Sequence, residues 1–160
     1  MSISCDWVPN IRLGQIFLGE DINVYVNNLG AILQDEEKGS DDCTSWVSYA
    51  LPDPDVFIDV ENQKVVSITS YRDFIYKNKN LIDMSIIELE DVLGCSADEV
   101  GETIFYDDAD QKTPYEFFDL GLQVWVSEKR VVSISCLTYE DCEKTCSVQN
   151  YHHEISTLSS

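Results

Sequence analysis

Residues 55–69 read DVFIDVENQKVVSIT, and residues 121–135 read GLQVWVSEKRVVSIS. Each stretch is a strand, a tight polar turn and a second strand, and the return strand carries the same V-V-S-I in both. In the first, Val56, Ile58 and Val60 alternate with Phe57 and Asp59; in the second, Leu122, Val124 and Val126 alternate with Gln123 and Trp125. Period-two alternation marks a half-buried strand, because successive side chains leave a pleated backbone on opposite sides. These two hairpins set the expected fold class.

Upstream of each hairpin stands a short helical pattern. In residues 19–30, Ile22, Val26 and Leu29 recur at spacings of four and three, with Gly30 placed to end the helix. In residues 85–94, Ile86, Leu89, Val92 and Leu93 form the apolar stripe, and Ser85 with Glu88 makes a capping box. Gly30 and Gly94 are 64 residues apart, and Val65 and Val131 are 66 apart. Two landmarks at nearly one offset point to a duplicated unit.

Between helix and hairpin each half carries an acidic stretch, residues 34–42 and 96–102, read as variable. An aromatic strand candidate follows it, at 44–50 and 103–107. Residues 107–119 begin as a turn and end as a further strand candidate, while Pro52 and Pro54 put Asp53 and Asp55 on a rigid bend. The expected fold is therefore α+β: two tandem units of helix plus antiparallel strands, forming one continuous sheet with the helices on one face. The units span 11–70 and 81–136, with a connector at 71–80 in which Phe74 and Ile75 pack. Residues 137–160 form a C-terminal segment whose start suits a short helix.

Thirty Asp and Glu against ten Lys and Arg leave a net charge of -20, spread along the whole chain. Such a surface disfavours direct contact with nucleic acid or anionic membranes, which need cations to displace counterions. It attracts basic proteins and speeds encounter with them, although solubility alone also accounts for acid. No stretch approaches the roughly 18 apolar residues of a membrane span. The amino terminus, MSISCDWVPNIRLG, lacks a basic region followed by an apolar core, so the expected setting is cytoplasmic and the six cysteines are expected as free thiols.

With the aliphatic sets facing the helices, Phe57, Asp59, Gln123 and Trp125 fall on the opposite face. An antiparallel sheet can leave that face open. Aromatic anchors among carboxylates suit a protein interface. Trp46 and Trp125 either stand on this face or pack under loops; Asp59 is harder to bury, because an unpaired carboxylate in a core is costly.

Little here suggests catalysis. Two adjacent histidines, His152 and His153, leave scant room for a nucleophilic triad, and no Gly-rich phosphate loop is present. Asp107, Asp108 and Asp110 lack the EF-hand glycine and are followed by Lys112 and Pro114. Cys136, Cys142 and Cys146 carry zinc-binding atoms without the usual C-x2-C spacing. No cofactor and no metal are expected.

The run L18-G-E-D-I, L29-G30, W46-V-S-Y and residues 55–68, with its second copy through L93-G94, I104-F-Y and residues 122–134, resembles the beta-lactamase inhibitory protein-like superfamily and the related outer-membrane assembly lipoproteins. The chain departs from the lipoproteins in lacking their signal. That resemblance implies a curved inhibitor laying its open sheet face on an enzyme. For a strongly acidic chain it further implies a bacterial immunity protein of the contact-dependent growth-inhibition type, monomeric and bound 1:1 to a basic toxin, a nuclease above all. The interface positions so implied are Phe57, Asp59, Gln123 and Trp125, with Trp46, Asp53, Asp55, Asp107, Asp108 and Asp110 at the loops. The rival reading is a nucleic-acid mimic that occupies the groove of a DNA-binding protein.

Overall fold

The computed structural model describes residues 4–37, 46–51, 53, 55–105 and 111–138. The chain opens with three two-residue strands, β1 (Trp7–Val8), β2 (Arg12–Leu13) and β3 (Ile16–Phe17), which form a small antiparallel sheet. Helix α1 (Ile22–Leu29) starts where the Asp21 carboxylate accepts from the Asn23 N–H. It stops at Gly30, whose φ of 73° is a left-handed conformation that a side chain would strain. Four antiparallel strands follow: β4 (Ile32–Glu37), β5 (Trp46–Leu51), β6 (Val56–Glu61) and β7 (Lys64–Ser70).

A short hairpin of β8 (Ile75–Tyr76) and β9 (Lys79–Asn80) leads to helix α2 (Ile86–Leu93). Ser85 and Glu88 close the expected capping box, and Gly94, at φ 80°, ends the helix. Then come β10 (Glu99–Val100), β11 (Ile104–Phe105), β12 (Gln111–Phe117), β13 (Leu122–Ser127) and β14 (Arg130–Leu137).

Among the described residues the main sheet has nine strands, ordered β10-β12-β13-β14-β7-β6-β5-β4, with β11 also on β12. The two strand sets meet at β7 and β14, which run antiparallel through Ser70↔Ile134, Thr69↔Ser135, Ile68↔Cys136 and Ser67↔Leu137. Both helices pack against this one large sheet, as an α+β fold requires.

Each hairpin turns through two residues of positive φ, Asn62 and Gln63 in one, Glu128 and Lys129 in the other. Turns with both central residues left-handed match the right-handed twist of their strands. Each turn is also laced to the segment before a helix. Ile22 N–H donates to Gln63 O at 2.9 Å and Val65 N–H to Glu20 O at 2.9 Å; on the other side Asp83 N–H donates to Val131 O at 2.8 Å and Val131 N–H to Met84 O at 2.9 Å. Each outgoing strand is irregular at a matching place, between Asp59 and Val60 and between Trp125 and Val126.

The core lies between sheet and helices. Val56, Ile58, Val65, Ile68, Leu122, Val124, Ile134 and Cys136 are buried there with Ile22 and Tyr25 of α1 and Leu89 of α2. Phe74 is fully buried, as expected of the connector, and Ile75 half-buried. Three expectations need correction. Residues 34–37, read as the start of a variable acidic stretch, belong to edge strand β4, because backbone pairing with β5 outweighs the low strand propensity of acidic residues. Of the 103–107 candidate, Ile104–Phe105 pair with β12 and Thr103 stands outside the strand, while residues 106 and 107 lie outside the described residues. Leu137, read as the start of a helix, is instead the last residue of β14, held by pairing with Ser67. Ahead of the first expected unit, Cys5 and Trp7 also enter the core, beside Leu13 and Ile16. No helix among the described residues is long and apolar enough to cross a membrane.

The contrast between two neighbours on α2 tests this packing. Leu89 is fully buried and Ile87 is 76% exposed. Leu89→Ala is expected to lower unfolding free energy by about 2–5 kcal/mol, and Ile87→Ala to change it by less than about 0.5 kcal/mol, read by denaturant titration.

Candidate functional site: the sheet face opposite the helices

Every main-sheet residue in the core cluster belongs to one face of the sheet. Opposite-facing positions are found by following the cross-strand register, since directly paired residues point the same way. One continuous row crosses eight strands: Ile32↔Ala50↔Phe57↔Thr69↔Ser135↔Gln123↔Glu116↔Glu99. Asp59 lies two residues along β6 from this row, opposite Ser48 and Ser67; Trp125 lies two along β13 the other way, opposite Ser133 and Pro114. All four residues expected on the open face are therefore on it, each half-buried.

Their local contacts differ. Trp125 Nε1–H donates to Gln123 Oε1 at 3.0 Å, and Gln123 Nε2–H donates to Glu116 Oε2 at 2.8 Å, which fixes the indole through a chain of polar side chains. Phe57 meets Tyr71 edge-on, centroids 5.6 Å apart. At the seam the hydroxyls of Thr69 and Ser135 are 2.6 Å apart. Loss of solvent pushes the Asp59 carboxyl up to about 6, a hydrogen bond with Ser48 opposes this, and neighbouring Glu61 adds to it.

The loop positions do not join this group. Asp53 is exposed and pairs with Arg72 at 2.9 Å. Asp55 takes a φ of 73° in the bend before β6, where its N–H bonds Leu51 O and its carbonyl accepts from the Tyr71 N–H. Trp46 sits in β5 with Glu61 as backbone partner, its side chain outside the described residues, as are Asp107, Asp108 and Asp110. Cys142, Cys146, His152 and His153 also lie outside them. Cys136 is sealed in the core, where burial pushes its thiol up to about 12, so it does not present a thiolate to a metal. Cys5, Cys95 and Cys136 are unpaired thiols, and no cluster of three or more His, Cys, Asp or Glu suited to a metal occurs among the described residues.

Sequence reasoning missed the residues between the four. Tyr71, Thr69, Ser133 and Ser135 share the face, and Glu116 anchors the Gln123 amide. Their alternation with Ser70 and Ile134 was the available signal; the pairing of β7 with β14, which brings them together, had none.

The sequence matches no protein-family model and no curated protein. Among solved structures, the chain is similar to a cysteine-rich secretory protein from Staphylococcus aureus subsp. aureus Mu50, at 16% identity and a TM-score of 0.52, over 87% of this chain and 51% of that one. It is also similar to an extracellular protein containing an SCP domain from Bacillus anthracis str. Ames, at 12% identity and a TM-score of 0.46, over 79% of this chain and 46% of that one. The chain thus spans about half the length of the structures it matches. The fold likeness to the Staphylococcus aureus structure corrects the expected kinship with the beta-lactamase inhibitory protein-like superfamily and growth-inhibition immunity proteins, and with it the cytoplasmic setting expected from the amino terminus.

Proposed function

We propose that this chain is a protein-binding domain without catalytic chemistry of its own, monomeric and capturing one basic partner on its uncovered sheet face. The observation that carries the reading is the row from Phe57 to Glu116, flanked by Asp59 and Trp125, on the face opposite the main core cluster. Half-buried aromatics give rigid contact area, and a net charge of -20 supplies steering toward cations. Two tandem helix-and-strand units meeting at β7 and β14 are part of the proposal, supported by the matching turns, laces and strand irregularities. The secretory description of the Staphylococcus aureus protein supports an encounter outside the cell.

Asp59 adds weight. Its carboxyl is pushed up to about 6, above the ordinary 3.8, so folding favours the proton and the charge it carries at neutral pH costs stability. The sign follows from linkage: between about pH 4 and pH 6 the folded state holds more proton than the unfolded, so stability contributed here is full below pH 4 and lost as pH rises through 6. A cation from a partner would offset that loss, which makes the charge useful only in a complex.

Two outcomes are expected. Asp59→Asn should raise stability at pH 7.5 by on the order of 2 kcal/mol, with the gain vanishing below about pH 4 in parallel denaturant titrations. Affinity capture with the full chain, from culture medium and cell lysate at low and moderate salt, should return one stoichiometric basic protein that Trp125→Ala releases. Capture of many DNA-binding proteins, depending evenly on many acids and steeply on salt, would replace this reading with nucleic-acid mimicry; indifference to Trp125 would overturn the face itself.

A further inference from the structure

We infer that the uncovered face recognises its partner through one extended, arginine- or lysine-rich segment laid along the seam of β7 and β14, an inference that rests on the basic-partner reading above. The floor of the seam carries Ser67 and Thr69 on β7 and Ser133, Ser135 and Leu137 on β14, small side chains apart from Leu137, which pairs with Ser67 at the Asp59 end. Ser133 and Ser135 are 4% and 6% exposed. Phe57 and Asp59 of β6 form one wall; Gln123 and Trp125 of β13 form the other.

The dimensions suit one chain. The walls are three strand spacings apart, roughly 14 Å between backbones, and the floor between them is two strands wide. Tyr71, the residue after β7, is 45% exposed and its ring meets Phe57 edge-on, and Trp125 pairs with Ser133 on β14. A guanidinium or ammonium seated at the level of Ser133 would use these rings for cation–π contact. From that level to Asp59 and Ser67 is four residues along the strands, roughly 13 Å, or about four residues of extended peptide.

Charge selects the occupant. Asp59 stands at one end, and Glu116 stands behind Gln123 with its carboxylate held by the amide. No lysine or arginine occupies the floor or either wall. The floor hydroxyls can donate to peptide carbonyls and accept from peptide N–H groups, which favours a polypeptide with alternating side chains over a compact cation.

The test uses the full chain and a fluorescein-labelled ten-residue peptide of alternating arginine and serine, with folded cytochrome c as a compact basic probe. The peptide should bind one site. Its affinity should fall at least tenfold on Ser135→Trp, which fills the floor, and on Asp59→Asn, and should not change on Asp91→Asn, which removes the same charge from exposed α2. Amide shifts of Ser67, Thr69, Ser133 and Ser135 on adding peptide to the unsubstituted chain should single out the seam, a readout independent of how any variant folds. Equal losses for Asp59→Asn and Asp91→Asn, or shifts elsewhere, would overturn the seam. Binding of cytochrome c but not the peptide, sensitive to Trp125→Ala, would overturn the extended segment and leave the basic-partner reading standing; binding of neither would remove both.

Discussion

The antiparallel pairing of β7 with β14 is the constraint on which the rest depends. It joins the two strand sets into one sheet, and through the pleat it assigns every neighbouring residue to a side. Ile68 and Cys136 meet on the covered side, both fully buried; Thr69 and Ser135 meet on the other, hydroxyl to hydroxyl. A slip of one residue would put isoleucine on the open face and serine in the core. Burial of an isoleucine is worth about 1.5–3 kcal/mol, so the register is strongly held.

From that seam the two faces take different roles. The covered face is aliphatic, closed by two capped helices and by the small N-terminal sheet, whose Trp7 ring makes tilted contacts with Phe74 and Tyr76 at 5.3 and 4.9 Å between centroids. The other carries hydroxyls, carboxylates and partly exposed rings. Its side chains hold one another in place through the chain from Trp125 to Gln123 to Glu116 and the contact of Phe57 with Tyr71, the ordering that the proposed binding role would call on. Preorganisation of this kind lowers the entropy lost on binding. Asp59 on the same face runs against folding at neutral pH, because burial raises its carboxyl.

Much of the local structure was legible because it rests on short-range chemistry. Ser85 with Glu88, Gly30 and Gly94 marked helix ends, and the alternation in residues 56–60 and 122–126 marked which side chains are buried. The edge strand at Ile32–Glu37 was not legible, since its hydrogen bonds belong to β5 and acidic composition argues against a strand. Nor was the N-terminal segment: strands of two residues are too short for any period, and only the core they join holds them.

The sequence by itself determined the elements, the charge and the two-sidedness of each strand, because capping, turn conformation and alternation act within about ten residues. It also placed Phe57, Asp59, Gln123 and Trp125 on one side of their strands. Only the tertiary structure decided that the two strand sets meet at β7 and β14, that Thr69 and Ser135 meet hydroxyl to hydroxyl, and that Glu116 holds Gln123. Those are contacts between residues far apart in the chain. They depend on which strand edges find each other, and an edge's backbone groups are the same for every sequence.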